Sequence, residues 1–89
     1  MINKEKWEGF VKDGGVVGVT KVLLDRLEFI SASNINDTIL IIVEIPDKYA
    51  PLCTPAQVER LSKALYDYFD NDVSLAIGIV ISEMSNEIH

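Results

Sequence analysis

The sequence predicts one α+β domain in which helices pack on one face of a short three-stranded sheet. Apolar residues recur at helical spacing in three segments, and two further segments are apolar and β-branched enough to form strands. A third, shorter strand lies between them, which gives the order α-α-β-β-α-β. A chain of 89 residues has room for a single domain. We assign residues 1–89 to it, with a core over about residues 3–82 and a tail over residues 83–89.

The first helix is predicted over about residues 3–13. Asn3 suits the N-cap, and the glycines at positions 14 and 15 stop the helix. Its apolar positions recur at helical spacing: Trp7, Phe10 and Val11.

A second helix is predicted over about residues 18–30, followed by polar turn residues at 31–37. One stripe of the helix is apolar and is expected to face the core: Val19, Val22, Leu23, Leu27 and Ile30.

Residues 38–45, TILIIVEI, are almost continuously apolar and β-branched, which is typical of a central strand. Residues 46–48 form a predicted turn. Residues 49–53 are interpreted as a short returning strand. Pro51 lacks a donor for the hydrogen-bond ladder and confines that strand to an edge.

The start of the third helix carries the clearest local signal. Thr54 suits the N-cap, Pro55 the first helical position, and Gln57 completes a capping box. The expected inward residues are Val58, Leu61, Leu65, Tyr68 and Phe69, and the expected outward residues are Glu59, Arg60, Lys63 and Asp67.

After a turn at residues 70–72, residues 73–82 are predicted to form the last strand. Its positions alternate between large apolar and small side chains. The small face, which lets a helix or a partner approach closely, contains Ser74, Ala76, Gly78 and Val80.

The net charge of −6 is distributed unevenly along the chain. Residues 1–26 carry a balance of +1, residues 27–63 of −2, and residues 64–89 of −5 with no Lys or Arg. Because Lys and Arg supply most of the affinity for a phosphate backbone, the C-terminal third is expected to repel nucleic acid. The acidic end either serves solubility or faces a basic partner.

The sequence indicates a cytoplasmic protein that does not enter a membrane. The longest apolar run, residues 39–43, is far shorter than the roughly 20 residues needed to cross a bilayer. The N-terminus opens with charges and a tryptophan, unlike a signal peptide. Cys53 is the single cysteine and forms no internal disulfide, which favours a reducing compartment.

No set of residues is typical of a catalytic, metal or cofactor site, and we expect the domain not to be an enzyme. The single histidine, His89, is the last residue, where fraying prevents precise placement. A Cys–His nucleophile pair would require Cys53 to reach that end. No Cys/His cluster suits a metal, and no phosphate-binding glycine loop is present. Asp70 and Asp72 suit a turn better than a calcium loop, which needs more ligands.

Residues 15–18 match the GXXG pattern that lies between two helices in KH nucleic-acid-binding domains. In those domains the loop lies against the nucleic-acid backbone, usually beside a basic residue. Here Asp13 precedes the loop and Lys21 is the nearest cation after it. The favoured hypothesis is a corner in which glycines permit positive φ and valines fill the core. The alternative is a loop that binds single-stranded nucleic acid through Gly15, Val16, Val17 and Gly18.

A family resemblance spans about residues 7–81. Trp7 in the first helix is followed by a glycine corner, a Val/Leu-rich helix and an apolar strand, and then by VERLSKAL at residues 58–65 and YFDNDVSL at residues 68–75. This pattern resembles the C-terminal domain of the gamma/tau subunit of bacterial DNA polymerase III. Residues 54–77 are its most specific part. Asn71 stands close to where the family often has glycine, and asparagine accepts the same left-handed backbone.

The resemblance implies a pseudo-KH fold that does not read nucleic acid. It implies an interaction domain of a replicative clamp-loader subunit that binds the catalytic alpha subunit of DNA polymerase III and tethers polymerase to clamp loader. Other clamp-loader subunits would be reached only through the parent chain, without direct contact to nucleic acid or membrane. Because the family's alpha contacts lie toward its C-terminal end, the expected partner-binding residues are Glu83, Met84, Glu87 and Ile88. The small face of the last strand is the next candidate.

Overall fold

The computed structural model describes residues 2–69 and 74–83. Within them, helices pack beside one three-stranded sheet, so the predicted α+β class and the order α-α-β-β-α-β are confirmed, with a 3-10 helix added before the last α-helix. The elements are α1 (Lys4–Asp13), α2 (Gly18–Asp25), β1 (Glu28–Ile35), β2 (Thr38–Pro46), the 3-10 helix (Asp47–Leu52), α3 (Pro55–Phe69) and β3 (Ser74–Ser82). The predicted turn at residues 70–72 lies outside the described residues.

Both predicted helix caps are present. The Lys6 N–H donates to Asn3 Oδ1 at 2.8 Å at the start of α1, and the Gln57 N–H donates to Thr54 Oγ1 at 3.3 Å at the start of α3. Each bond satisfies an amide that has no partner within its helix. The Gln57 side chain accepts a hydrogen bond from the Thr20 hydroxyl, which joins α3 to α2. The predicted capping box is thus half present: Thr54 caps the helix, whereas the Gln57 side chain bonds to α2 instead of returning to the N-cap.

Replacing Thr54 with alanine is expected to lower the free energy of unfolding by about 1 kcal/mol, because a first-turn amide of α3 loses its acceptor. Thr54→Ser keeps the hydroxyl, so its free energy of unfolding should stay close to that of the original protein. Urea denaturation followed by circular dichroism measures both. Equal midpoints for the alanine and serine variants would show that the cap contributes nothing.

The second helix is shorter than predicted. It ends at Asp25 instead of residue 30. There the Arg26 N–H donates to the carbonyl oxygens of Leu23 and Leu24. Of residues 31–37, all predicted as a turn, residues 31–35 belong to β1 and only residues 36–37 form a turn. The predicted apolar stripe is split accordingly: Leu23 and Leu27 are buried, whereas Val19, Val22 and Ile30 are exposed.

A two-residue turn joins β1 to β2. Asn36 and Asp37 have φ values of 51° and 65°. Positive φ at both central residues is the pattern of a type I′ turn, whose twist matches that of a hairpin. The two strands pair in antiparallel fashion, with an irregular register between Phe29 and Ser31.

β2 is the central strand, as predicted, with β1 antiparallel on one side and β3 parallel on the other. The predicted returning strand at residues 49–53 is wrong, because this segment belongs to the 3-10 helix. A parallel neighbour requires a crossover connection, so the chain must leave the sheet after β2. Pro51, which cannot donate to a ladder, is accommodated in that helix.

The core lies between the helices and one face of the sheet. Alternate residues of β2 are buried, namely Ile39, Ile41, Val43 and Ile45. They join helix residues in a single cluster with Trp7, Phe10, Leu23, Leu24, Leu27, Leu61 and Leu65. Burial of these side chains is the main force that holds helices and sheet together. None of the described helices is long and apolar enough to cross a membrane.

Two glycines of the first helical region should respond in opposite ways to alanine. At Gly14, which caps α1, a Cβ would lie 2.5 Å from the Phe10 carbonyl oxygen and 2.7 Å from the Phe10 ring. Gly14→Ala should therefore destabilise by about 1–3 kcal/mol. At Gly9 a Cβ would meet the Tyr68 hydroxyl at 3.4 Å, an ordinary contact. Gly9→Ala should stabilise by about 0.5–1 kcal/mol because alanine favours helix. Thermal denaturation measures both, and shifts of the same sign would contradict the packing around Phe10.

Candidate partner-binding surface

The second face of the sheet, here called the open face, has no helix over it in the described part of the chain. Along β2 its side chains alternate with the buried ones. On β2 they are Thr38, Leu40, Ile42 and Glu44, and the register pairs them with Glu28, Ser31, Ser33 and Ile35 of β1 and with Ser74, Ala76, Gly78 and Val80 of β3.

The open face has a central ridge with small side chains on each side. Leu40 and Ile42 form the ridge on the middle strand and are half-buried. A Cβ at Gly78 would lie 3.0 Å from Ile42 Cδ1, so the isoleucine leans over the glycine. Across the sheet, each ridge residue stands between small ones: Ser33 and Ala76 beside Leu40, and Ser31 and Gly78 beside Ile42. The predicted small face of the last strand therefore belongs to this surface.

Large apolar side chains are exposed at opposite corners of the open face. Ile35 is 51% exposed beside the hairpin turn, and Val80 is 46% exposed toward the other end of β3. Ile30, at the irregular register of β1, is also exposed. Leu40 and Ile42 lie between the two corners, diagonally next to Ile35 and Val80 in the register, so the four side chains form one apolar diagonal across the face. Contiguous apolar groups mark interaction surfaces more often than isolated ones do.

Two carboxylates stand directly opposite each other on the open face. Glu28 on β1 pairs with Glu44 on β2, and like charges in this position destabilise a sheet. Within residues 2–69 and 74–83 neither makes an ion pair. The two carboxylates line a shallow depression of about 150 Å³ together with Arg26, whose guanidinium lies 4.4 Å from the centre of the Tyr49 ring. Two carboxylates against one guanidinium leave this end of the open face with a net negative charge.

The structure describes only the first of the partner-binding residues predicted in the tail. Glu83 follows β3 directly and is exposed. Met84, Glu87 and Ile88 lie outside the described residues. The predicted tail site therefore stays a prediction, adjacent to the end of β3.

The loop at residues 15–18 turns the chain between α1 and α2. Gly15 and Gly18 have φ values of 74° and 68°, as the corner hypothesis requires. Val16 packs partly against the core, but Val17 is 77% exposed, so the expectation that both valines fill the core is wrong for the second. Lys21 donates to the Val11 carbonyl at 2.7 Å and pairs with Asp25 at 3.2 Å.

The described residues contain no group of three or more His, Cys, Asp or Glu that could hold a metal ion. Burial raises the pKa of the Cys53 thiol, which lowers the thiolate fraction at neutral pH. An activated cysteine nucleophile requires the opposite shift. His89 lies outside the described residues.

Sequence reasoning missed the larger part of the open face, above all Leu40, Ile42 and the Glu28–Glu44 pair. A signal was available in β2, whose residues are apolar on both faces. Strands with that pattern usually lie in sheets covered on both sides.

Comparison of the chain with family models, curated proteins and solved structures found no match.

Proposed function

We propose that this domain is a non-catalytic protein-interaction module and that it binds its partner through the open face. The observation that carries the proposal is that the central strand is apolar on both faces, whereas helices cover only one of them. β2 is apolar on both sides, with Ile41 buried under helices and Ile42 on the open face. Apolar surface of this kind gains free energy when a partner removes it from water.

We further propose that the partner is the alpha subunit of bacterial DNA polymerase III. The support is the sequence resemblance over residues 7–81, whose two helices, apolar strand, capped helix and last strand follow one another in the same order in the fold, with β1 added. In this role the domain tethers the polymerase to the clamp loader in the bacterial cytoplasm. Other clamp-loader subunits are reached only through the parent chain, and no cofactor or membrane takes part.

Binding to the purified alpha subunit of the same organism tests the proposal directly. In biolayer interferometry the intact chain should bind, and Ile42→Ala should weaken binding tenfold or more, a change of about 1.4 kcal/mol. Val19→Ala is the matched control, because Val19 is 55% exposed on α2, away from the sheet. No binding by the intact chain would reject the alpha subunit as partner. Equal losses in both variants would reject the open face as its site.

The tail remains a second contribution to the same function. Deleting residues 83–89 should leave the circular dichroism spectrum unchanged and weaken alpha binding about tenfold. The tail would then contribute to binding together with the open face. Unchanged affinity after the deletion would make the tail a spectator and leave the open face as the whole site.

A nucleic-acid module is the alternative, and one observation favours it. Arg60 on α3 borders a shallow depression of about 200 Å³ beside Val16 and Val17, so one cation lies near the loop. Lys21 is already paired, and phosphate affinity rises with the number of free cations. We expect single-stranded DNA and RNA to bind only weakly at low salt in fluorescence titrations. Sub-micromolar binding that falls steeply with salt and disappears in Gly18→Asp would favour the alternative.

A further inference from the structure

The dimensions of the open face suit a single helix. Neighbouring strands lie about 4.8 Å apart, so the outer strands of a three-stranded sheet are about 10 Å apart. This is about the diameter of one α-helix with its side chains. The nine residues of β2 extend about 26 Å, the length of a helix of about 17 residues. Side chains of such a helix would straddle the ridge of Leu40 and Ile42 and lie over the small residues beside it.

The charges around the open face select the chemistry of that helix. The acidic pair Glu28 and Glu44 lies at one end, and Asp37 lies in the hairpin turn at the other. Arg26 borders the depression beside that pair, but it forms an ion pair with neither carboxylate, and two carboxylates against one guanidinium leave a net negative charge. Opposite charges across an interface attract, and like charges facing each other suppress binding. The favoured partner segment therefore carries Lys or Arg beside its apolar stripe.

The same charges disfavour two other occupants. A second copy packed face to face would bring its own Glu28, Glu44 and Asp37 to a surface that already carries them, in a chain of net charge −6. Nucleic acid would add phosphate charge to the same acids. From the width of the face and from its charges we infer that the open face binds an amphipathic helix flanked by basic residues. This inference rests on the proposed function and names the chemistry of the partner segment.

Two synthetic peptides test the inference on the intact chain. Both are 18-residue amphipathic helices with the same Leu/Ala stripe, flanked in one by Lys and in the other by Glu. Fluorescence anisotropy should show that the Lys peptide binds at least tenfold more tightly than the Glu peptide. Ile42→Ala should weaken Lys-peptide binding about tenfold, and Val19→Ala should leave it unchanged. Thermal unfolding by circular dichroism checks that each variant is folded.

A charge-reversal variant is the decisive experiment, because it tests the charges of the open face without changing Ile42. Glu28→Lys/Glu44→Lys should reverse the preference so that the Glu peptide binds more tightly. Glu59→Lys/Asp67→Lys makes the same change of net charge on exposed positions of α3 and should keep the original preference. If both double variants reverse the preference equally, the selectivity comes from net charge alone and the inference is wrong.

Other outcomes also overturn the inference. Equal binding of the two peptides, or no binding of either, rejects the basic helix. A dimer in sedimentation equilibrium that Ile42→Ala dissociates would assign the face to a second copy. If the intact chain binds the alpha subunit through Ile42 but binds neither peptide, the proposed function stands and the basic helix is rejected. If the Lys peptide binds with the expected selectivity and the alpha subunit does not, the basic helix stands and the alpha subunit is rejected as the partner.

Discussion

Replacing Phe10 with alanine is expected to lower the free energy of unfolding by about 3–5 kcal/mol, since a fully buried aromatic ring is removed. The Phe10 ring lies 5.6 Å from Trp7, 5.4 Å from Tyr68 and 6.2 Å from Phe69, centre to centre. The contacts with Tyr68 and Phe69 join α1 to the end of α3. A domain of this size is stable by only about 5–13 kcal/mol, so much of its stability would be lost.

Urea denaturation of the Phe10→Ala variant measures the effect. The matched control is Tyr66→Ala on α3, because Tyr66 is an aromatic residue that is 47% exposed. It should change the unfolding free energy by roughly 1 kcal/mol or less. Similar losses for the two variants would contradict the central position of Phe10 in the core.

Adjacent isoleucines on β2 should give opposite results in stability and binding. Ile41 is fully buried under the helices, so Ile41→Ala should cost about 2–5 kcal/mol of stability. Ile42 is half-buried on the open face, so Ile42→Ala should cost less, about 1–2 kcal/mol. Binding should show the reverse order, with the larger loss for Ile42→Ala in samples kept cold enough for both variants to be folded.

Parallel measurements of urea denaturation and alpha-subunit binding on the two variants make the comparison. If Ile42→Ala destabilises the isolated domain as much as Ile41→Ala does, the open face is covered within the chain itself. It would then be unavailable to a partner. The pair of variants therefore tests the assignment of the two faces without reference to any particular ligand.

Elements with strong local signals were predicted well from the sequence. The caps at Asn3 and Thr54 mark the starts of α1 and α3. A side-chain acceptor directly before a segment with helical apolar spacing is a specific signal for the start of a helix. The central strand β2 was equally clear, since its β-branched residues have no helical period.

β1 was missed because its signal depends on a neighbour. Leu27 and Ile30 fit the apolar spacing of a longer helix, and the serines and asparagine after them fit a turn. What makes residues 28–35 a strand is pairing with β2 through a turn in which Asn36 and Asp37 adopt positive φ. An Asn-Gly pair would have signalled that turn, whereas Asn-Asp is a much weaker signal.

The candidate site was less predictable than the fold for a similar reason. The small face of β3 was apparent from its alternation, but its role depends on which face the helices cover. That choice is made by the packing of the whole domain around Ile41 and its buried neighbours. The pairing of Glu28 with Glu44 likewise follows from the register between β1 and β2.

The mixed sheet also sets the order in which the chain is expected to fold. β1 and β2 are joined by a two-residue turn, and hairpins of this kind form within about 1–10 μs. β3 pairs with β2 only after the chain has passed through the 3-10 helix and α3, so the second pairing is non-local and slower. Until it forms, the most apolar strand presents one unpaired edge to other chains. Substitutions that weaken β3 are therefore expected to increase aggregation during synthesis and refolding beyond what their effect on stability alone would predict.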